Sequence, residues 1–223
     1  MVLLLASAIL ATSPCETAWQ HQTSPTLTEI TTYKDPDANK SKYGAPALTK
    51  EESHLKNLKQ LTFGGQNAEA YWNVTGTKIT YQTRQDDFPD EQIFTMNPDG
   101  SGKKLIGTGL GRCTCSYFTP DGKWIYFSST HERNTGPQKK LDFSKGYVWM
   151  VNPDFSIYRR RVGSKTLQPV LKVNGYVAET TIAPDGKYFV FTGNFEGDLE
   201  IYRSTMDGKK ITRLTNDPGY DGG

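Results

Sequence analysis

The residue types able to do chemistry in this chain are few, and their spacing limits what each can do. Three histidines, His21, His54 and His131, stand far apart. A zinc-peptidase helix needs two histidines four residues apart, and Thr135 stands where the partner of His131 should be. Serine hydrolysis needs a Ser flanked by glycines on a strand-to-helix turn, with an acid and a His later in the chain. No such pentapeptide occurs. Cys113 and Cys115 lie two apart on an expected strand and so share a face, but no further Cys or His follows at ligand spacing. Packing is their expected role. Gly107-Thr108-Gly109-Leu110-Gly111 is dense in glycine yet joins two strands and opens no helix, so it lacks the dipole that holds phosphate. Asp86, Asp87, Asp90 and Glu91 crowd around Pro89 without metal-ligand spacing and read as a solvated loop. Asp35 to Asn39 opens like a calcium loop, but Lys40 and Pro46 occupy the places of its turn Gly and closing Glu. No catalytic, cofactor-binding or metal-binding residue is expected, and no cofactor.

Composition narrows the classes further. With 12 Tyr, 10 Phe and 4 Trp beside 21 Gly and 12 Pro, the chain suits short strands and tight turns better than helices. Its formal charge of +2 and the lack of any long basic tract speak against nucleic acid; Arg159-Arg160-Arg161, the sharpest cluster, reads as solvated strand ends. The apolar run from Val2 to Ala11 is too short to span a bilayer and resembles the core of a secretory signal, so residues 1–18 are expected to direct export to the periplasm or outside the cell. Pro14 fits poorly before an acylated Cys15, and three cysteines do not make a disulfide framework. Residues 19–50 read as an exposed lead-in segment. Asn39-Lys40-Ser41 and Asn73-Val74-Thr75 are glycosylation sequons.

The elements that must position any site are repeated. Ala70 to Tyr81, Ser116 to Phe127 and Thr180 to Phe191 each read as strand, tight turn and strand, the last two around Pro-Asp-Gly-Lys. Two further strands follow each hairpin: Gln92–Met96 and Lys103–Ile106, then Ser156–Arg159 and the segment past Gly163, then Leu199–Arg203 and Ile211–Thr215. In the second unit about 25 residues, His131 to Phe155, intervene; long insertions of this kind map to one face, where binding often resides. Lys139, Lys140, Asp142, Phe143, Tyr147 and Trp149 within it could recognise a partner or pack on a sheet edge.

Three units of four strands point to β-propeller blades. Tyr117 to Lys123, Ile182 to Lys187 and the closing Arg213-Leu214-Thr215-Asn216-Asp217 resemble the WD40-like repeats of the TolB-type propeller family, with a departure at Asn73-Val74-Thr75-Gly76. The resemblance implies an all-β partial propeller over residues 51–223, with blades at about 56–108, 109–172 and 173–215 and the start of a fourth at 216–223. It also implies an N-terminal part of a larger ring, two open radial faces carrying hydrophobic surface, and further blades needed to close the circle. The expected function is an exported, non-catalytic scaffold for a protein or peptide partner. A substrate-gating propeller of a larger serine hydrolase, and a carbohydrate- or cation-binding propeller, are the alternatives.

Overall fold

The computed structural model describes residues 28–29, 54, 56–85, 87–144, 146 and 148–222. The expected signal, Cys15, His21, the calcium-like Asp35–Asn39 and the Asn39 sequon lie outside them. Among the described residues every regular element is a strand, and no helix is long and apolar enough to cross a membrane.

Among the described residues thirteen strands form three antiparallel sheets. The first runs β2 (Gln66–Trp72), β3 (Ile79–Arg84), β4 (Gln92–Met96) and β5 (Lys104–Leu105). The second runs β6 (Cys113–Phe118), β7 (Trp124–Ser129), β8 (Ser156–Arg161) and β9 (Thr166–Leu171). The third runs β10 (Val177–Ile182), β11 (Tyr188–Gly193), β12 (Glu200–Thr205) and β13 (Ile211–Arg213). Each is a meander, which is why neighbours in sequence are neighbours in space. The second sheet departs from four strands: β1 (Thr28–Glu29), from the expected lead-in, pairs with β9 as a fifth.

The turns form for the reasons their residues suggest. At the second hairpin the Gly122 N–H bonds the Thr119 carbonyl at 2.8 Å, and Asp121 Oδ1 accepts from the Lys123 N–H at 3.0 Å. Gly122 takes a φ of 67°, which a side chain would resist. The third hairpin repeats these bonds at Gly186 and Asp185. The divergent first hairpin reaches the same turn by other means: Asn73 Oδ1 accepts from the N–H groups of Thr77 and Lys78, both at 2.9 Å.

Two apolar layers hold the sheets together. Ile93 and Ile106 of the first unit pack with Phe118, Ile125 and Phe127 of the second. Tyr126, Ile157 and Leu171 of the second pack with Phe189, Phe191 and Tyr202 of the third. Each fully buried aromatic contributes on the order of 2–3 kcal/mol. Polar ties cross the same boundaries: Thr80 Oγ1 meets Ser116 Oγ at 2.7 Å, and the Tyr126 hydroxyl donates to the Met206 carbonyl at 2.8 Å.

Two expectations need refining here. The outward face of the first sheet is covered in part: Ile79, Tyr81, Phe94, Met96 and Leu105 are buried, with Leu61 and Phe88 packed against them, while Trp72, paired with Ile79, is 56% exposed. The arginine run is not solvated throughout. Arg159 lies 4.5 Å over the Trp124 ring and bonds the Tyr126 hydroxyl. Arg160 donates to the Leu105 and Ile106 carbonyls at 2.7 and 3.0 Å, stapling the second sheet to the first. Only Arg161 is exposed.

Candidate functional site at the converging first strands

The first strand of the middle sheet faces both other units. β6 packs against β2 and β3 on one side and β10 on the other, so β2, β6 and β10 converge. Each carries one irregularity at an equivalent place. The pairing register slips between Ala68 and Tyr71, between Thr114 and Tyr117, and between Ala178 and Thr181. At each slip a non-glycine residue takes a left-handed conformation: Glu69 at φ 51°, Cys115 at 50° and Glu179 at 62°. These are β-bulges, and they re-aim one side chain per strand toward the common centre. Left-handed backbone costs a non-glycine residue about 1–2 kcal/mol, so packing must hold it there. At the middle bulge Gln82 of the first sheet does so, its Oε1 accepting from the Cys115 N–H at 3.0 Å and the Thr114 hydroxyl at 2.9 Å.

The three re-aimed side chains form one continuous strip with aromatic rings around it. The Tyr71 hydroxyl donates to Glu69 Oε2 at 2.7 Å, and the Tyr71 and Tyr117 rings lie 4.2 Å apart. Cys115 feels the charge of both Glu69 and Glu179. The Tyr176 and Tyr220 hydroxyls donate to the two oxygens of Glu179 at 3.2 and 3.5 Å. Trp149, from the long insertion, stands edge-on to Tyr220 with centroids 5.1 Å apart and also meets Tyr176. Burial, then the nearby carboxylates, push the Cys115 thiol up to about 12 and the Tyr220 hydroxyl up to about 12; Tyr71 and Tyr176 move the same way. The thiol and phenols are therefore neutral at physiological pH.

Other candidate residues fall elsewhere. Cys113 and Cys115 do not act as a pair on one face, because the bulge at Cys115 breaks the alternation. Cys113 is buried against Gln92 and Ser129, where burial pushes its thiol up to about 12. His54 is exposed. His131 is buried on the Tyr158 ring, its Nδ1 bonded to Ser129 Oγ at 2.9 Å, and burial lowers it to about 4; it is a packing histidine. The acidic loop is not simply solvated: Asp90 is buried and accepts from the Gln138 N–H, while Glu91 pairs with Arg112 at 2.8 Å. Asp86 and Tyr147 lie outside the described residues. The Gly107–Gly111 loop is a packing device, since a side chain at Gly111 would meet the Asn134 carbonyl at 2.5 Å. Of the insertion, Trp149 reaches the strip, while Phe143 is exposed. Among the described residues no three His, Cys, Asp or Glu side chains come together as a metal site.

No family model matches this chain, and no curated protein matches it. Solved structures do. A protein assigned as TolB from Agrobacterium tumefaciens superposes with a TM-score of 0.53 at 21% identity, over 70% of this chain and 51% of that one. TolB from Acinetobacter baumannii superposes at 0.52 and 21% identity, over 71% of this chain and 34% of that one. The three four-stranded antiparallel sheets match these propeller proteins. The chain has a β-propeller fold. It spans about half and a third of the lengths of those two chains. In propeller terms, the sheets are blades and the strip of bulges lies where the blades' inner strands meet.

Sequence reasoning passed over Glu69 and Glu179. The signal was present: each re-aimed residue, Glu69, Cys115 and Glu179, immediately precedes a copy of the repeated phrase.

Proposed function

We propose that this protein is a non-catalytic propeller scaffold, exported from the cell, that binds a protein or peptide partner at the strip where its inner strands meet. The observation that carries this reading is the triple bulge. Three blades hold the same costly conformation, and its common effect is to aim a side chain at one shared surface. The surface combines half-exposed aromatic rings with fixed carboxylates, a combination suited to peptide recognition.

Panning a random peptide library on the full chain tests this. Peptides should be enriched, and their retention should fall at least tenfold with Tyr71→Ala plus Tyr220→Ala while Lys187→Ala, at an exposed turn, retains it. Absence of enrichment, or retention indifferent to the tyrosine changes, would overturn the reading.

A further inference from the structure

The outer edge of the second sheet, far in the chain from the inner-strand strip, carries a feature its neighbours lack. The last strand of each sheet forms its outer edge: β5 has two residues, β13 three and β9 six. Such an edge presents unpaired N–H and C=O groups, and a longer one offers another strand more to pair with. Arginines guard the short edges. Arg160 takes the Leu105 and Ile106 carbonyls at β5, and Arg213 takes the Thr215 carbonyl just past β13. On β9 a strand has been added instead: β1 lies antiparallel to it, Thr28 opposite Leu167 and Glu29 opposite Thr166. Gln168 and Pro169 continue the edge beyond β1, as far as the Val170 carbonyl that lies against Gly208 of the third sheet.

We infer that the outer edge of β9 is a strand-addition site for an extended acidic segment of a partner protein, occupied here by the chain's own Thr28–Glu29. The seated β1 establishes the pairing geometry, and charge selects the occupant. From Ser156 to Lys172 the chain carries Arg159, Arg160, Arg161, Lys165 and Lys172, with no Asp or Glu. Three of these are engaged: Arg159 on the Trp124 ring, Arg160 on carbonyls and Lys172 with Glu132. Arg161 and Lys165 are exposed, and Lys165 directly precedes the Thr166 that Glu29 faces. The chain's own occupant has the matching sign: from Thr23 to Thr32 its sole charged residue is Glu29. In strand addition main-chain bonds supply affinity and the flanking side chains supply selectivity. β1 pairs through two residues only, so a longer partner strand gains bonds that β1 does not make. Being part of the same chain, β1 competes at a high effective concentration and holds the edge until such a partner arrives.

Fluorescence anisotropy on the full chain tests this with a labelled peptide of residues 26–33. The natural chain is compared with Thr28→Pro plus Glu29→Pro, whose own segment lacks the N–H groups to pair. The peptide should bind the proline variant about tenfold more tightly than the natural chain, because the internal competitor is gone. Binding should weaken as salt rises, and by about tenfold when the peptide's Glu is replaced by Lys. Methylating the peptide's Thr and Glu backbone nitrogens should abolish it. Arg161→Gln plus Lys165→Gln, made in the proline variant, should weaken binding about threefold. Lys187→Ala plus Lys209→Ala removes the same charge at exposed turns of blade three and should retain it. Equal binding to the natural chain and the proline variant overturns the proposal, as does a methylated peptide that binds like its parent. A Lys peptide that binds as tightly as the Glu peptide, or equal losses from the two charge-removing pairs, overturns it too. So does a peptide that binds neither chain. The strip stands or falls separately, on Tyr71 and Tyr220.

Discussion

The turns and the bulges of this propeller repeat in opposite ways. At the turns the residues recur: Asp121, Asp185 and Asp207 each accept from a backbone N–H two residues on, beside Gly122, Gly186 and Gly208 at positive φ. The chemistry there is spent inside the loop, on closing it. At the bulges the conformation recurs while the residue changes, from Glu69 to Cys115 to Glu179. No side chain there is needed to close a turn, and glycine would fit the backbone better than any of them. A repeated residue marks a local structural requirement. A repeated conformation that keeps an unfavourable residue marks a side chain retained for what it meets.

The largest effect should come from the platform under both regions. Phe189→Ala opens the layer between blades two and three, where Phe189 is fully buried against Tyr126 and Phe191. A loss of about 3–5 kcal/mol is expected in urea unfolding, and turn and bulge reporters should melt together. Separate transitions would show that the blades are energetically independent.

Acid separates a buried group from the turns. His131 has an unfolded value near 6.5 and a folded one of about 4, so the unfolded chain takes up the proton first as pH falls. Stability should be complete above about pH 6.5 and decline by up to about 3 kcal/mol on the way to pH 4, reading as a lower melting temperature at pH 5 than at pH 7. The hydroxyl of Thr119 and the Lys123 N–H hold Asp121 below its usual value, and Asp207 is held down in the same way by Thr205. Their contribution is present above the unfolded carboxylate range and lost only below it. His131→Gln should flatten the upper window alone, and Asp121→Asn with Asp207→Asn the lower alone.

The glycines of the turns can be graded by what surrounds them. A side chain at Gly208 would sit 2.1 Å from the Val170 carbonyl of blade two, whereas one at Gly122 would meet nothing within 4 Å. Both carry the left-handed penalty. Gly122→Ala should therefore cost about 1 kcal/mol and Gly208→Ala clearly more, about 2–3 kcal/mol, in the same unfolding measurement. Equal costs would mean that the blade two–three boundary yields at Gly208.

What could be seen in the sequence follows the same division. The strands and turns were legible because alternation and Asp-Gly turns are local signals, and even the altered first hairpin folds alike once Asn73 takes over the accepting role. The second unit's long insertion and the strand after Gly163 were also legible. The fates of Arg159, Arg160 and Asp90 were not, because each is decided by a partner far along the chain: Trp124, Leu105 and Gln138. The bulges were hidden for a different reason. Period-two reasoning assigns Cys113 and Cys115 one face, and the left-handed backbone at Cys115 itself cancels that assignment. β1 was unforeseeable on local grounds, since a two-residue pairing carries no periodicity.

The smallest effect is the most direct test of the opening contrast. Glycine placed at a bulge removes the left-handed penalty of about 1–2 kcal/mol, and glycine's extra freedom in the unfolded chain returns about 0.5–1 kcal/mol of that. Glu69→Gly should thus leave the fold as stable as before or raise it by up to about 1 kcal/mol. The lost Tyr71–Glu69 bond is exposed and offsets little. The reverse exchange at a turn, Gly122→Glu, meets no obstacle at its Cβ yet should lose about 1 kcal/mol, because there the backbone wants what glycine supplies. Unfolding midpoints that move in opposite directions for these two exchanges would establish that Glu69 is held at an energetic disadvantage. A Glu69→Gly protein destabilised by more than 1 kcal/mol would mean that the carboxylate stabilises the bulge itself, and the strip would lose its distinction from the turns.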